Sequence, residues 1–470
     1  MSPLAIFARQ LTHHPQVGCR PHHENPMPTL RRLTALAVAR AMLAGPPKVD
    51  GLVARMRACL DTDAIWYMAL AERCARLPGE HWRRLTTRTL ATLIERDIGY
   101  EHAWLADKPP NVRRHILRVR TGMQPLPLGL DDCQVPYWPH TAALGRWLGV
   151  SDAGMWRLTR PSAWQRRAHL GEQHYSYQLL AKRGGGWRLL EVPHPYLMPL
   201  QRRLLDDLLD RIPPHEAACG YTRERSVVDH ARAHVGQAVV LKFDLQDFFA
   251  SVRASRVHAL FATLGYSETV ARELAALCTT ATPEPVLRRM HENGQLTWTQ
   301  LQRLRDPHLA QGAPTSAALA NLCAFRLDLR MDGLAHVLGA RFTRYADDIV
   351  LSGGTHLRDA LSRIESWVGR IALEEGFALN HRKTRCLTAG RRQSVCNIVV
   401  NHHANLPRDE FDRLKAILHQ CVTQGPAAQN REGKPHWRQY LQGRVAWATQ
   451  LNPAKAQRLK RLLDQIDWSR

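Results

Sequence analysis

The sequence predicts a mixed α+β protein with an all-helical N-terminal extension. Apolar residues recur at helical spacing between residues 30 and 120, which favours amphipathic helices. From Tyr175 onward, apolar stretches of strand length alternate with helical patterns, and from Pro407 the spacing is helical again. Strand patterns confined to the middle of the chain, with helices on either side, therefore indicate an α+β fold.

The N-terminal part divides into two segments. Residues 1–28 mix His, Pro, Gln and Asn without periodicity, which predicts a flexible tail. Residues 29–155 are predicted to form the helical extension. The Pro- and Gly-rich stretch Met123–His140 interrupts the helical pattern and predicts a break between this region and the rest of the chain.

Two strand patterns mark the α+β part. Ala238–Asp244 (AVVLKFD) is an almost continuous apolar run, which predicts a buried strand that ends on a carboxylate. Arg341–Ser352 (RFTRYADDIVLS) contains two short apolar segments around an acidic pair, which predicts a hairpin with a tight turn.

The charge of the chain points to a polyanionic partner. The 470 residues include 65 Lys+Arg and 42 Asp+Glu, giving a formal charge of +23 and a pI near 10.2. So large an excess favours nucleic acid as the partner. Only nine of the 65 basic residues are lysines. A GC-rich genome would explain that arginine bias equally well, so composition by itself does not assign a function.

Cysteines and hydropathy restrict the location. The ten cysteines include no C-x-x-C pair, which favours reduced, buried thiols over a disulfide framework or a structural metal site. No apolar run approaches the roughly 20 residues that span a bilayer, and no basic-then-apolar leader is present at the N-terminus. We therefore expect a cytoplasmic protein with no membrane partner.

Adjacent carboxylates carry the strongest chemical signal. Asp347 and Asp348 lie at the predicted hairpin turn, and Asp244 ends the other predicted strand. Like charges held close together are stabilised mainly by hard cations, and a pair of Mg²⁺ ions is an established phosphoryl-transfer device. The sequence therefore predicts a two-Mg²⁺ site. An exposed Asp-Asp turn without function is the alternative, because Asp is common in turns.

Six segments in order resemble the motifs of reverse transcriptases, most closely those of the bacterial retron type. The resemblance runs from roughly Trp164 to the C-terminus and leaves the N-terminal region outside it. The matching segments are Gly184–Pro193, Gly220–Ser226, Phe243–Phe249, Gln311–Ser316, Tyr345–Asp348 and Leu379–Thr384.

This resemblance implies a right-hand polymerase fold of fingers, palm and thumb. The implied limits are residues 156–236 for the fingers, 237–400 for the palm and 401–470 for the thumb. The implied activity is RNA-directed DNA synthesis with deoxynucleoside triphosphates on a structured noncoding RNA, giving a DNA product used in anti-phage defence. An effector protein is the further implied partner.

The resemblance also assigns site residues. The metal site includes Asp244, Asp347, Asp348 and the adjacent Leu245. Arginines suit triphosphate oxygens because their charge is permanent and their donors form a fork. The implied nucleotide contacts are Arg188, Arg225, Gln311 and Phe249, with Phe249 as the ring that excludes a ribose 2′-hydroxyl and Phe248 as its core partner. The implied RNA contacts are His234 and Arg444.

Lys383 is predicted to be catalytic with the three aspartates. It is the only lysine between Phe243 and Leu414, in a region crowded with arginine. A leaving pyrophosphate needs a proton, which lysine can supply and arginine cannot. A solvated surface lysine is the alternative.

The sequence departs from the retron pattern at two places. The usual Asn-Ala-x-x-His segment is His230-Ala-Arg-Ala-His234 here, so the leading Asn is replaced. The usual Val-Thr-Gly segment is Val395-Cys396-Asn397. These departures leave two alternatives open: a bacterial defence reverse transcriptase without a retron RNA, and a nucleic-acid-binding scaffold in which catalysis is dispensable.

Overall fold

The computed structural model describes residues 30–60, 63–106, 108–116, 122–127, 129–161, 172–182 and 185–469. The predicted tail and Gly184 of the first matching segment lie outside the described residues. Two compact units are present, Met1–Gln124 and Pro125–Arg470. Among the residues described, no helix has the length and apolar character needed to cross a membrane.

The first unit is helical, as the sequence predicts. Its core combines small residues on the first helix, such as Ala37 and Ala41, with large apolar side chains on the later helices. Tyr100 is fully buried there, and its hydroxyl donates a hydrogen bond to the Arg31 carbonyl at 2.7 Å. The described helices are Leu30–Leu43, Val49–Cys59, Trp66–Ala75, Gly79–Arg84, Thr87–Glu95 and Ile98–Leu105.

The second unit is mixed α+β. Its described strands are β1 (Tyr175–Ala181), β2 (Trp187–Pro193), β3 (Val239–Asp244), β4 (Arg341–Tyr345), β5 (Asp348–Gly353), β6 (Arg385–Thr388), β7 (Ser394–Val395) and β8 (Ile398–Val399). Its described α-helices are Thr141–Leu148, Asp152–Leu158, Met198–Asp207, Val227–Arg232, Phe248–Ser251, Ala254–Thr263, Glu268–Cys278, Glu284–Glu292, Trp298–Arg305, Ser316–Cys323, Phe325–Val337, His356–Asp359, Leu361–Glu374, Arg408–Gln424, Pro426–Gln429, Trp437–Leu451 and Pro453–Asp464. The 3₁₀ turns Leu209–Arg211 and His381–Lys383 complete the described elements.

A four-stranded antiparallel sheet in the order β4-β5-β3-β6 forms the middle of this unit. Val239, Val240, Leu241 and Phe243 on β3 are all buried, because helices cover the sheet and β3 lies inside it. The predicted strand and the predicted hairpin are both confirmed, to within two residues at each end. The mixed fold with a helical N-terminal extension is the expected one.

Residues 125–155 belong to the second unit, although the sequence grouped them with the helical extension. Trp138 stacks on Tyr266 with ring centroids 5.2 Å apart, and the Tyr266 hydroxyl donates to the Pro136 carbonyl at 2.8 Å. These aromatic contacts join a segment that precedes the first strand to a helical region more than a hundred residues later. Local periodicity carries no information about such a contact, so only the Pro- and Gly-rich break was visible in the sequence.

Two helices, Glu284–Glu292 and Trp298–Arg305, form most of the segment between Pro283 and His308. Leu287, Met290 and Leu304 on these helices form a small buried cluster with Leu189 of β2. The second helix also reaches the loop after β3, where Arg303 pairs with Asp247 at 2.8 Å. These two helices therefore brace both the β1–β2 hairpin and the loop that leads into the helix Phe248–Ser251, which carries Phe249.

The C-terminal helices pack against the short β7–β8 hairpin. Val395 and Ile398 of the hairpin share one core cluster with Leu414, Leu441 and Leu459 of the last three long helices. The same cluster includes Val240 of β3 and Val350 of β5. This helical group is therefore anchored to one face of the central sheet.

Candidate active site

Three carboxylates meet at one end of the central sheet. Asp244 is the last residue of β3 and pairs in register with Asp348, the first residue of β5. Asp347 lies in the two-residue turn between β4 and β5, and its carbonyl accepts a hydrogen bond from the Leu245 amide at 2.9 Å. The three side chains line a cavity of about 360 Å³ together with Lys383. Residues far apart in sequence are thus brought together by strand pairing.

The turn is held in a conformation that ordinary residues rarely adopt. Ala346 has φ 56°, in the left-handed region. Gly220 lies against it so closely that a Cβ at Gly220 would be 2.7 Å from the Ala346 amide nitrogen. Only glycine allows this approach, which explains the first residue of the Gly220–Ser226 segment.

A buried ion pair supports the same turn. Arg344 and Asp328 both have 0% exposed side chains and form two hydrogen bonds of 2.6 Å. The remaining terminal nitrogen of Arg344 donates to the Ala346 carbonyl at 2.9 Å and to Asn321 Oδ1 at 3.1 Å. Asn321 in turn donates to the Gly220 carbonyl at 2.7 Å. The turn is therefore tied to two helices through one guanidinium.

Two lysines neutralise part of the carboxylate charge. Lys383 Nζ lies 2.8 Å from Asp244 Oδ2, and Lys242 Nζ lies 3.3 Å from Asp348 Oδ2. Burial and the nearby Asp244 raise the pKa of Asp347 above its usual value. Burial also raises the pKa of Asp348, and Lys242 opposes that rise only in part. The site therefore still carries unbalanced negative potential.

This donor set fits hard divalent cations. Carboxylate oxygens are the ligands that Mg²⁺ takes in phosphoryl-transfer sites. The raised pKa values of Asp347 and Asp348 mean that their charged forms lack adequate compensation from the protein itself. The residues that could hold such ions are Asp244, Asp347 and Asp348, with the backbone at Leu245 beside them.

The predicted nucleotide contacts are not among the residues that line this cavity. Arg188 on β2 and Arg225, within the Gly220–Ser226 segment, are both exposed. Phe249 is half-buried, with its ring centroid 6.2 Å from that of Tyr221, a cavity-lining residue. Phe248 is buried and stacks on Phe377 at 5.5 Å, which confirms its predicted place in the core.

The Gln311 loop is fixed by a buried pair beneath it. The Gln311 carbonyl accepts from the Glu191 amide at 2.9 Å, and Gly312 has φ 134°, with its ideal Cβ position 3.1 Å from the Glu191 carbonyl. The Glu191 side chain bonds to His308 at 2.9 Å and to Thr282 at 2.7 Å. Burial lowers the pKa of His308, but the Glu191 carboxylate outweighs this and the net shift is upward.

The two predicted RNA contacts differ in accessibility. Arg444 is partly exposed and lies 3.5 Å from Glu410, so its guanidinium can reach a ligand at the surface. His234 is fully buried, with hydrogen bonds of 2.6 Å to Ser352 and 2.7 Å to Thr343. A side chain with no exposed surface does not reach RNA, so the placement of His234 gives no support to a direct contact.

Sequence reasoning assigned no site role to seven residues that line the cavity: Tyr221, Lys242, Phe243, Tyr345, Ala346, Arg385 and Cys396. Lys242 was detectable, because strand side chains two apart point to the same face and Lys242 precedes Asp244 by two. The sequence marks Cys396 only as a departure from the retron pattern. Arg385 lies just outside the matching segments and carries no signal of its own.

The sheet and its carboxylate-bearing hairpin have the architecture of the palm of a right-hand nucleic-acid polymerase. The chain belongs to the reverse transcriptase family: residues 180–432, more than half of its length, match the family described as reverse transcriptase (RNA-dependent DNA polymerase). The resemblance to the retron type is confirmed by curated relatives.

Two of these relatives come from Myxococcus xanthus. Retron Mx65 reverse transcriptase is 40% identical over 290 residues, which is 62% of this chain and 64% of the relative. Retron Mx162 reverse transcriptase is 34% identical over 309 residues, covering 63% and 61%. This chain therefore spans less than two thirds of the length of either protein. Among solved structures, telomerase from Candida albicans in complex with a fragment of telomeric RNA aligns with a TM-score of 0.33 and 12% identity. The alignment covers 75% of this chain and 64% of telomerase, and the likeness is too distant to bear on function.

Proposed function

We propose that the protein is an RNA-directed DNA polymerase that copies a structured noncoding RNA into DNA by two-metal nucleotidyl transfer, as part of a cytoplasmic retron in anti-phage defence. The observation that carries the proposal is the meeting of Asp244, Asp347 and Asp348 in one cavity at the end of the sheet. The retron relatives and the net charge of +23 support an RNA template as the partner.

The chemistry divides between the ions and the protein. Two bound Mg²⁺ ions would lower the pKa of the primer 3′-hydroxyl and stabilise the charge that develops on the triphosphate. The protein's part is to hold three carboxylates on one rigid hairpin and strand end. Since the Asp347 turn is fixed by Arg344 and Gly220, the carboxylates need little reorganisation when substrate arrives.

Arg188 and Arg225 would bind the triphosphate of the incoming deoxynucleotide. Both are exposed, and Arg188 lies on β2 of the two-stranded hairpin that the helices Glu284–Glu292 and Trp298–Arg305 brace. An exposed guanidinium fork suits phosphate oxygens that arrive from solvent.

Lys383 would protonate the leaving pyrophosphate. Its side chain is 59% exposed and its Nζ lies 2.8 Å from Asp244 Oδ2, so Lys383 is within reach of the cavity and of solvent. Replacing Lys383 by Arg keeps the charge but removes the transferable proton. We expect the chemical step to slow by about 10²-fold, with little change in nucleotide affinity.

Single-turnover rates at saturating nucleotide would measure that step. Lys415→Arg, the same exchange on the helix Arg408–Gln424, is the matched control and should behave as wild type. Equal rates for Lys383→Arg and wild type would exclude the general-acid role.

Phe249 would exclude ribonucleotides. Its half-buried ring lies beside the cavity-lining Tyr221, where a sugar could contact it. Removing the ring in Phe249→Ala should reduce discrimination between deoxy- and ribonucleotides at least about tenfold, measured as the ratio of kcat/KM values. Phe249→Tyr keeps the bulk and should keep the discrimination. An unchanged ratio in the Ala variant would assign Phe249 to packing alone.

The proposed activity can be tested with the purified full chain. A DNA primer annealed to an RNA template should be extended with deoxynucleotides when Mg²⁺ is present and not when it is chelated. Sequencing of the nucleic acid that copurifies should return one structured RNA with DNA copied from it. Failure of a well-folded protein to extend any primer with Mg²⁺ or Mn²⁺ would contradict the polymerase and favour a nucleic-acid scaffold.

A bacterial defence reverse transcriptase without a retron RNA is the second candidate. It is favoured by the replacement of the usual Asn by His230 and of Val-Thr-Gly by Val395-Cys396-Asn397. The DNA beside the gene separates the two, because a retron has a structured RNA gene next to its polymerase. Absence of such a gene, together with copurified nucleic acid of many sequences, would favour this second candidate.

A further inference from the structure

A thiol and an imidazole lie next to Asp348, beside the carboxylate trio. Cys396 Sγ is 3.6 Å from Asp348 Oδ2. An imidazole nitrogen of His230, a carboxylate oxygen of Asp348 and the Cys396 sulfur all lie within 4.8 Å of one another. His230 and Cys396 occupy the two segments that depart from the retron pattern, which are far apart in sequence. Both departures therefore meet at one carboxylate.

The backbone places the thiol at some cost. Cys396 and Asn397 form the turn between β7 and β8, with φ values of 45° and 65°. Glycine or asparagine is favoured where φ is positive, and cysteine is not. Cys396 is held there because Val395 and Ile398 are buried on either side of the turn. A strained residue aimed at a functional carboxylate is a reason to ask what it binds.

The imidazole has a free nitrogen. His230 is fully buried, and its Nδ1 is engaged with the Thr343 hydroxyl at 2.6 Å. Its Nε2 is buried with no hydrogen-bond partner among the described residues. An imidazole nitrogen that offers a lone pair is a common metal ligand. A buried nitrogen without a partner is destabilising unless something binds it.

The combination of ligand atoms selects a kind of metal. Sulfur, nitrogen and oxygen together suit Zn²⁺ and similar ions, whereas Mg²⁺ takes oxygen ligands. Bond lengths of about 2.0–2.3 Å in a tetrahedral site imply ligand separations of roughly 3.3–3.8 Å. The 3.6 Å between Cys396 and Asp348 already fits that range, and the His230 nitrogen needs to move by up to about 1.5 Å.

We propose that His230, Asp348 and Cys396 form a site for a thiophilic divalent ion such as Zn²⁺, with its fourth position open to the cavity. On binding, the Cys396 thiol releases its proton to solvent, and the Lys242 ammonium, 3.3 Å from Asp348, moves aside. Asp244 and Asp347 line the same cavity and offset the added positive charge. The site shares Asp348 with the proposed catalytic metals, so the two modes of binding exclude each other.

If the two modes of metal binding exclude each other, Zn²⁺ should inhibit DNA synthesis. Only this consequence rests on the proposed polymerase activity. A thiophilic ion that draws Asp348 toward Cys396 removes one of the three carboxylates from catalysis. Metal binding itself is independent of that activity and is measured separately.

Cobalt titration of the full chain tests the site directly. Co²⁺ serves as a probe in place of Zn²⁺, because a thiolate ligand gives it a charge-transfer absorption band. We expect this band in the presence of excess Mg²⁺, and added Zn²⁺ should abolish it. Cys396→Thr and His230→Asn restore the residues usual in the retron pattern and are therefore suited to the fold. Cys396→Thr should remove the band, and His230→Asn should weaken Co²⁺ binding at least about tenfold. Cys386→Ser changes a half-buried thiol on β6 and should leave the band intact.

The outcomes separate this site from the proposed function. The proposal is overturned if wild type shows no thiolate band, or if the band persists in Cys396→Thr. Inhibition of primer extension by Zn²⁺ is measured for each protein relative to its own rate without Zn²⁺. If this inhibition is equal in wild type and Cys396→Thr, the shared-ligand site is also overturned. A wild-type band lost in Cys396→Thr supports the site even if no primer is extended, in which case only the polymerase proposal fails.

Discussion

Replacing Asp347 by Asn is expected to reduce templated DNA synthesis at least about 10³-fold, equivalent to roughly 4 kcal/mol of transition-state stabilisation. Asn keeps the size of the side chain and removes the negative charge at the hairpin turn. Asp244 and Asp348 are the other described carboxylates that line the cavity, and both are already needed for the metal ions. No further described carboxylate there could replace Asp347. Single-turnover primer extension with Mg²⁺ measures the loss.

The same substitution should not weaken the fold. The pKa of Asp347 is raised in the folded state. Such a carboxyl group lowers the free energy of unfolding as the pH rises from its unfolded pKa, about 3.9, through its higher folded pKa. At neutral pH the neutral Asn side chain should therefore leave the metal-free protein as stable as wild type or more so. Adding Mg²⁺ should raise the melting temperature of wild type more than that of the variant.

Asp359→Asn is the matched control for both measurements. Asp359 ends the short helix after β5, and its side chain is 66% exposed. Its exchange should change neither synthesis nor the response to Mg²⁺. Synthesis at the wild-type rate by Asp347→Asn would show that the three carboxylates are not the metal site.

Local sequence signals were sufficient for the elements that carry the carboxylates. The apolar run before Asp244 and the two apolar segments around Asp347 and Asp348 have strand period and length, and the structure forms β3, β4 and β5 there. The ordered family motifs then indicated that these strands belong to one sheet. The roles proposed for Arg188 and Arg225 stay predictions, because both side chains are exposed and exposure alone does not define what they bind.

Contacts between distant side chains were not accessible from local patterns. Arg344 lies inside the strand Arg341–Tyr345, and strand alternation puts it on the same face as Phe342, but nothing in the strand identifies the partner that its charge needs there. Its partner Asp328 belongs to a helix whose sequence pattern is that of an ordinary helix with one face exposed to solvent. The approach of Cys396 to Asp348 depends likewise on a two-residue turn between very short strands. Pairing of charges across elements is decided by packing, which a single sequence does not display.

Removing the Arg344 guanidinium is expected to have the largest effect on stability. Arg344→Met leaves Asp328 as a fully buried carboxylate without its partner, which should cost about 3–5 kcal/mol of unfolding free energy. It also leaves the Ala346 carbonyl without this donor. Denaturant unfolding monitored by circular dichroism would measure the change. Arg330→Met, on the same helix as Asp328, removes a partly exposed pair with Glu374 and a pair with the buried Glu375, which keeps its second partner Arg326. This variant should cost less, about 1 kcal/mol.

The double variant Arg344→Met with Asp328→Leu separates folding from positioning. Replacing both members of a buried ion pair by apolar residues is often close to neutral for stability, so most of the lost free energy should return. Synthesis should not return with it, because the Ala346 turn has still lost its link to Asn321 and to the helix Phe325–Val337. Since displacement of catalytic groups by about 1 Å can cost about 10²-fold, we expect kcat to remain reduced by that order, with KM for the deoxynucleotide nearly unchanged. A double variant that regains both stability and kcat would show that Arg344 serves packing alone, and the position of Asp347 would then depend on the close approach of Gly220 to the turn.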